Sequence, residues 1–315
     1  MTASGADVAL CIPTLDPGRW VERMLTALRI QSLEPRDLIV IDSDSTDGSP
    51  ARWAEAGARV ISIRRDDFDH GGTRNLALQH TTASVVVFLT QDAIPADDLT
   101  LEALTAGLLA CPEAGAAYGR QLPHPDAGPL ARAHRAFNYP ADPAYRTSED
   151  VPALGVRAAF CSNAFAAYRR AALEAIGGFP DPIIGSEDRW AAARLLQAGW
   201  GIAYVPGARV EHSHDDSYAQ NVRRYFDIGV FQSSERWFED YLGRPDREGG
   251  KLVRAQIAAM KAAGVAAPVT RTLAHAAACW FGFRLGRLHR LLPRPLAARL
   301  STAPAYFRTR KSRPR

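Results

Sequence analysis

The chain has 315 residues, 47% hydrophobic and 23% charged, a globular composition with room for one large domain or two smaller ones. Its formal charge of +4 hides a division: residues 251–315 carry 14 Lys and Arg and no acid, which leaves 24 basic against 34 acidic residues, net −10, in residues 1–250. Cys11, Cys111, Cys161 and Cys279 lie far apart without metal-type spacing, which excludes a disulfide scaffold and points to reduced thiols; no basic-then-apolar leader opens the sequence, and no run of ~18 apolar residues offers a membrane span.

Residues 8–12 form an apolar run stopped by Pro13, the pattern of a buried strand. Trp20, Met24 and Leu28, with Val21 and Leu25, make one stripe and predict a helix over 20–31. Strand and helix then alternate: strands at 38–41, 59–63 and 85–89, helices at 49–56, 71–80 and 98–110. That alternation implies βαβ units and a mainly parallel sheet. Polar residues follow each strand, at the edge where open α/β sheets bind ligands. Residues 124–154, rich in Pro and Ala, predict a long loop with a short helix. Beyond it come a strand at 164–168, helices at 170–176 and 187–198, a short strand at 202–205 before Pro206, and a long helix over 222–242.

Five stretches carry chemistry. IDSDSTDGS (41–49) offers Asp and Ser acceptors to a base and ribose, or simply caps the next helix. DFDHGGTRNLA (67–77) puts two glycines and Arg74 at a helix start, either a phosphate contact or a turn with a surface Arg. VFLTQDA (87–93) ends a buried strand in the lone acid Asp92, suited to a hard cation on a pyrophosphate or to a plain turn. In GSEDRW (185–190), Glu187 and Asp188 open a helix, as dipole partners or as a general base. VEHSHDDS (210–217) has two histidines, one of which can ligate a metal.

The ordered set IPTLDPGRWVERMLTALRIQS, VIDSDSTDGS, HGGTRNLA, FLTQDAIP, CSNAFAAYRRAALEAIGGF, EDRWAAARLLQAGW and VEHSH resembles family-2 glycosyltransferases of the GT-A fold, from residue 8 to about residue 230. HGGTRN with TQDA, FCSN and EDRW resembles the bacterial rhamnosyltransferase subgroup. The resemblance implies an α/β fold, a Rossmann-like mainly parallel sheet flanked by helices. Residues 1–245 would be the catalytic domain (1–95 the nucleotide-sugar half, 96–245 the acceptor half), with a basic helical extension at 246–315. It assigns Pro13, Thr14, Asp42, Asp44, Arg74, Gln91 and Asp92 to the nucleotide sugar. Asp92 and His212 fall to a divalent Mg²⁺ or Mn²⁺, Asp188 to the catalytic base, and Glu187 and Trp190 to the acceptor. Two positions depart from the family pattern: Ser43 and Asp44 replace the commoner Asp-Gly, and Thr90 stands at the first place of the DxD motif.

These assignments imply inverting transfer of L-rhamnose from dTDP-L-rhamnose to a hydroxyl of a glycan or lipid-linked acceptor in bacterial surface polysaccharide synthesis. The other enzyme expectation is a UDP-hexose donor. A non-catalytic nucleotide-sugar-binding protein is favoured only by the reduced DxD motif. A pyrophosphorylase would need a Gly-rich basic phosphate loop, which residues 13–20 lack. In the tail, residues 280–294 place Arg284, Arg287 and Arg290 on one helical side and Phe281, Leu285, Leu288 and Leu292 largely on another. With the basic run to Arg315 this predicts an interfacial helix on an anionic membrane, or else a helix packed on the catalytic domain; the reduced thiols suggest a cytoplasmic protein, peripheral on the inner face in the first case. No nucleic-acid reader motif accompanies the charge, and oligomeric state is not readable.

Overall fold

The computed structural model describes residues 7–243 and 248–309. The first 95 residues run β1 (Val8–Thr14), α1 (Arg19–Arg29), β2 (Asp37–Asp42), α2 (Ser49–Glu55), β3 (Arg59–Ser62), α3 (His70–Gln79), β4 (Val85–Leu89) and the two-residue β5 (Ile94–Pro95). There follow α4 (Thr100–Leu109), β6 (Ala114–Leu122), α5 (Pro129–Asn138), β7 (Ala144–Arg146), α6 (Val151–Leu154), β8 (Phe165–Arg169), α7 (Arg170–Ala175), α8 (Glu187–Gln197) and β9 (Gly201–Glu211). Helices complete the chain: α9 (Tyr218–Ser234), α10 (Arg236–Leu242), α11 (Glu248–Ala262), α12 (Pro268–Arg287), α13 (Arg294–Leu300) and α14 (Ala305–Thr309).

One nine-stranded sheet has the order β3-β2-β1-β4-β8-β6-β9-β5, with β7 also on β9. Alternate residues of its strands feed two cores. Leu10, Ile12, Val40, Val87 and Leu89 meet α1, α2 and α4, while Cys11, Ile41, Val86 and Phe88 face α3, α7, α8 and α9. The parallel expectation describes β1 to β4, which pair only in parallel with one another. Beyond them the sheet is mixed, because β8 runs antiparallel to both β4 and β6.

Four expectations change. Strand β6, AGAAYGRQL, carries no β-branched residue and escapes pattern analysis. Its small residues are dictated by neighbours: a methyl group on Gly119 would sit 2.3 Å from Phe165 Cδ1 and 2.6 Å from the Ala208 carbonyl. The stretch 124–154 is not a loop with one short helix, since α5, β7 and α6 lie within it. β9 does not stop before Pro206 but runs to Glu211. Its register on β6 jumps from Gly119↔Val205 to Arg120↔Arg209, so Pro206 sits in a bulge where no ladder N–H is required. Finally, the expected helix over 222–242 breaks at Glu235, whose φ of −106° and ψ of 65° are not helical.

The tail is also rearranged. Residues 280–294 are not one helix: α12 ends at Arg287, and a 3₁₀ turn spans His289–Leu291. Its packing face consists of small residues rather than a leucine stripe. Methyl groups on Gly282 and Gly286 would lie 2.2 Å from the Val222 carbonyl oxygen and 2.0 Å from that of Phe226, so α12 crosses α9 backbone against backbone. Beyond it, Asp227 of α9 accepts from Ser301 Oγ at 2.6 Å, the Thr302 N–H at 2.8 Å and the Thr302 hydroxyl. Among the described residues no helix is long and apolar enough to cross a membrane. The boundary at 245/246, the opening residues 1–6 and the basic residues from Arg310 to Arg315 lie outside the described residues.

Candidate active site

Asp92 lies in the turn after β4, closed by the Ala93 N–H donating to the Thr90 carbonyl at 3.0 Å. His212 and His214 arrive from the far end of β9, carried past the bulge. One ligand atom from each of Asp92, His212 and His214 falls within 4.8 Å of the others. His212 Nε2 is 3.5 Å from Asp92 Oδ1, His214 Nε2 is 3.7 Å from Asp92 Oδ2, and the two Nε2 atoms are 3.1 Å apart.

The tautomer of His212 is set from behind. Gln121, near the end of β6, donates through Nε2 to Ser162 Oγ at 2.9 Å, which turns its Oε1 toward His212 Nδ1, also at 2.9 Å. Nδ1 therefore carries the proton, and Nε2 points its lone pair at Asp92 and His214. Burial pushes His212 down to about 4, and burial lowers His214 as well, so both rings are neutral near pH 7. A carboxylate facing two neutral imidazoles is a donor set that fits a divalent cation.

The second group sits at the start of α8. Glu187 and Asp188 diverge in environment. Glu187 is 5% exposed and pairs with Arg74, itself 4% exposed, at 3.1 Å. Burial disfavours its charge, yet Arg74 and His70 keep its carboxyl below the usual value. Asp188, half-buried, has no such partner: burial first, then the Glu187 charge, push it up to about 6. That is the range suited to a general base at neutral pH. Asn163 links the two, its side-chain amide donating to Glu187 Oε1 at 3.0 Å and its backbone N–H to Asp188 Oδ2 at 3.2 Å. Since the adjacent Ser162 accepts from Gln121, residues 162 and 163 connect the metal cluster to the acid pair.

The residues assigned to the nucleotide sugar sit along the ends of β1, β2 and β4. Pro13 is half-buried on β1, beside Ile41. Thr14 donates to Asp42 Oδ1 at 3.3 Å, and Asp42 Oδ2 accepts from the Ser45 N–H at 3.0 Å. Asp44 is exposed at φ 65°. Both ends of the Gln91 amide are bonded to the Leu15 backbone, at 2.8 and 3.1 Å. Arg74, besides holding Glu187, donates to the His70 carbonyl at 2.7 Å. Trp190 packs edge-on to Trp237 and donates to Glu235 Oε2 at 3.3 Å.

The phosphate-loop reading of DFDHGGTRN is corrected. The N–H groups of Gly71 and Gly72 both donate to Asp69 Oδ1 at 2.9 Å, an N-cap that leaves neither for a ligand. The glycines are required by packing: a methyl group on Gly71 would stand 1.8 Å from the Pro180 carbonyl oxygen. Conversely, Gln121, Ser162, Asn163 and His214 went unassigned from sequence. FCSN and VEHSH contained three of them. Gln121 had no signal, because its strand had none. His124 also went unassigned; it is buried against Trp20 at 4.8 Å, with neither ring nitrogen hydrogen-bonded.

Residues 9–177 match the family model for glycosyl transferase family 2. The chain is 38% identical over 303 residues, 95% of this chain and 96% of the relative, to the O-antigen chain rhamnosyltransferase RfbN of Salmonella typhimurium. It is 40% identical over 302 residues, 95% of both chains, to the O-antigen chain rhamnosyltransferase WbaN of Salmonella anatum. Among solved structures, the mannosyltransferase PcManGT from Pyrobaculum calidifontis, in complex with GDP-Man and Mn²⁺, has a TM-score of 0.58 at 23% identity, covering 90% of this chain and 87% of that one. S. aureus TarS with UDP-GlcNAc has a TM-score of 0.53 at 13% identity, covering 90% and 91%. At such identities the structural likeness speaks for the fold alone.

Proposed function

This chain belongs to glycosyl transferase family 2 and has its GT-A fold, and we propose that it moves L-rhamnose from dTDP-L-rhamnose to a hydroxyl of a growing surface polysaccharide, inverting the anomeric carbon. The observation that carries the mechanism is the bridge at residues 162 and 163, which ties a metal-type donor set to a carboxyl poised near pH 6. Asp188 takes the proton of the acceptor hydroxyl as that oxygen forms its bond to the anomeric carbon. The bond from that carbon to the β-phosphate oxygen breaks, and the nucleoside diphosphate leaves with the electron pair. Glu187 stays charged against Arg74 and keeps Asp188 basic by repulsion. Asp42 and Thr14 form one wall of the nucleotide site, and Trp190 stiffens the acceptor side.

Asp92, His212 and His214 would hold a divalent cation, which supplies Lewis-acid stabilisation of the leaving diphosphate. Two imidazole nitrogens and one carboxylate suit Mn²⁺ better than Mg²⁺, which prefers oxygen ligands. The acceptor is lipid-linked in this proposal, and the protein works at an anionic membrane surface. Leu273, Trp280 and Phe281 lie on the side of α12 opposite Gly282 and Gly286, and Leu288 is exposed just beyond the helix; Trp280 is 64% and Phe281 55% exposed. Arg284 joins them, its guanidinium 5.9 Å from the Trp280 ring. This exposed apolar patch around Arg284, on a chain whose last 65 residues lack acids, supports contact with an anionic membrane surface.

Release of nucleoside diphosphate from dTDP-L-rhamnose, UDP-glucose, UDP-galactose and GDP-mannose, with Mn²⁺, Mg²⁺ or EDTA, tests this. The expected order is dTDP-L-rhamnose first, Mn²⁺ above Mg²⁺, and no turnover in EDTA. Equal use of UDP-glucose overturns the donor, and EDTA-insensitive turnover overturns the metal.

A further inference from the structure

A cleft of about 890 Å³ opens between α9, α13 and the 301–308 segment, apart from the metal cluster and Asp188. Arg223, Arg294, Arg299 and Arg308 line it, and no carboxylate does. Arg308 reaches Asp66 at 3.7 Å, an exposed pair that water screens. Among the described residues no acid pairs with Arg223, Arg294 or Arg299. Arg223 is held in place instead, its Nε and Nη2 donating to the Arg299 carbonyl at 3.1 and 2.6 Å. Asp227, buried behind Ser301 and Thr302 of the lining, accepts hydrogen bonds from both. Phe307, Pro295 and Pro304 give the cleft an apolar floor.

Three guanidinium groups around one opening without an acidic partner among the described residues, and a fourth held only by an exposed pair, create a positive focus that favours an anion. Guanidinium forks match phosphate oxygens geometrically. The apolar floor, with Leu291 79% exposed just before α13, marks an anion attached to something greasy.

We propose that this cleft receives a phosphate group carried by a lipid at the membrane surface. The site is separate from the transfer chemistry, and it rests on the membrane reading only for the identity of the carrier. It would seat the protein in a fixed orientation on the bilayer, through directed phosphate bonds in addition to the apolar face of α12.

The full chain in EDTA is sedimented with vesicles of phosphatidylglycerol and phosphatidylcholine at equal amounts, and with phosphatidylcholine alone. Wild type is expected on the anionic vesicles. Arg294→Ala with Arg299→Ala should weaken that partition about 25-fold, at roughly fivefold per arginine. Both side chains are exposed, and the Arg299 carbonyl that anchors Arg223 is retained, so the thermal transition and Mn²⁺-dependent nucleoside diphosphate binding should not move. Unchanged partition of this variant overturns the cleft. If Trp280→Ser with Phe281→Ser abolishes binding while the arginine variant still binds, the membrane reading survives and the cleft falls; the reverse pattern sinks the α12 face and keeps the cleft. Inorganic pyrophosphate should release wild type from vesicles where sodium chloride of equal ionic strength does not, and equal release by the two salts overturns phosphate recognition. Tight pyrophosphate binding in solution with no preference for anionic vesicles would mean a soluble phosphate ligand and overturn the lipid carrier.

Discussion

The two halves of the sheet are built from different residues and do different work. Strands β1, β2 and β4 read VALCIPT, DLIVID and VVVFL, apolar runs whose partners all run parallel to them until β8. Strands β6 and β8 read AGAAYGRQL and FAAYR, short side chains that let helices and strands close in. The apolar half mostly ties its own polar residues to one another, as in Thr14 with Asp42 and Gln91 with Leu15. The small-residue half directs polar groups into the site: Gln121 at the end of β6, Asn163 ahead of β8, His212 after β9. A strand that contributes little apolar bulk can hold a polar side chain in register close to its partner.

The contrast breaks most sharply at Asp188. Asp188→Asn should lower kcat about 10²–10⁴-fold with donor affinity nearly unchanged, measured by steady-state kinetics and nucleotide binding. Retained turnover would move the base elsewhere. Gln121→Ala should come next. Loss of the partner that fixes the His212 tautomer should weaken Mn²⁺ about 10–100-fold, read by metal titration. An unchanged Mn²⁺ affinity would return the small-residue half to a purely structural role.

The pH profile gives a smaller effect. Asp188 is raised to about 6, so it is protonated below that pH and cannot accept a proton. The rate should be level above pH 7 and fall about tenfold per unit once well below 6. Asp188→Asn, if it retains measurable turnover, should lose that limb. On the other half, Thr14→Val removes one bond to Asp42 and should cost about 1 kcal/mol of stability, read by denaturant titration. A loss of Mn²⁺ affinity as large as that of Gln121→Ala would show that this bond also shapes the metal cluster.

The sequence by itself determined the alternating strands and helices through residue 110, the position of each strand-end acid, and the candidate base, because period-2 and period-3.6 apolar patterns and helix-start acids are local signals. Resemblance to family motifs supplied Asp92, His212 and Asp188 as an ordered set. Only the tertiary structure decided that Gly71 and Gly72 serve packing rather than phosphate, since the reasons are Pro180 and Asp181, more than a hundred residues away. The same holds for the tail: the sequence separated arginines from apolar residues, but Gly282 and Gly286 determine which face meets α9, and Arg284 ends with Trp280 and Phe281 on the face left to solvent. Strand β6 was invisible because alanine and glycine have no strand preference, and only its neighbours on both sides make it one. The partner of the lone acid at residue 92 was likewise a matter of sheet order, which sets β9 beside β6 and brings two histidines, with a glutamine behind one of them, to a carboxylate they are far from in sequence.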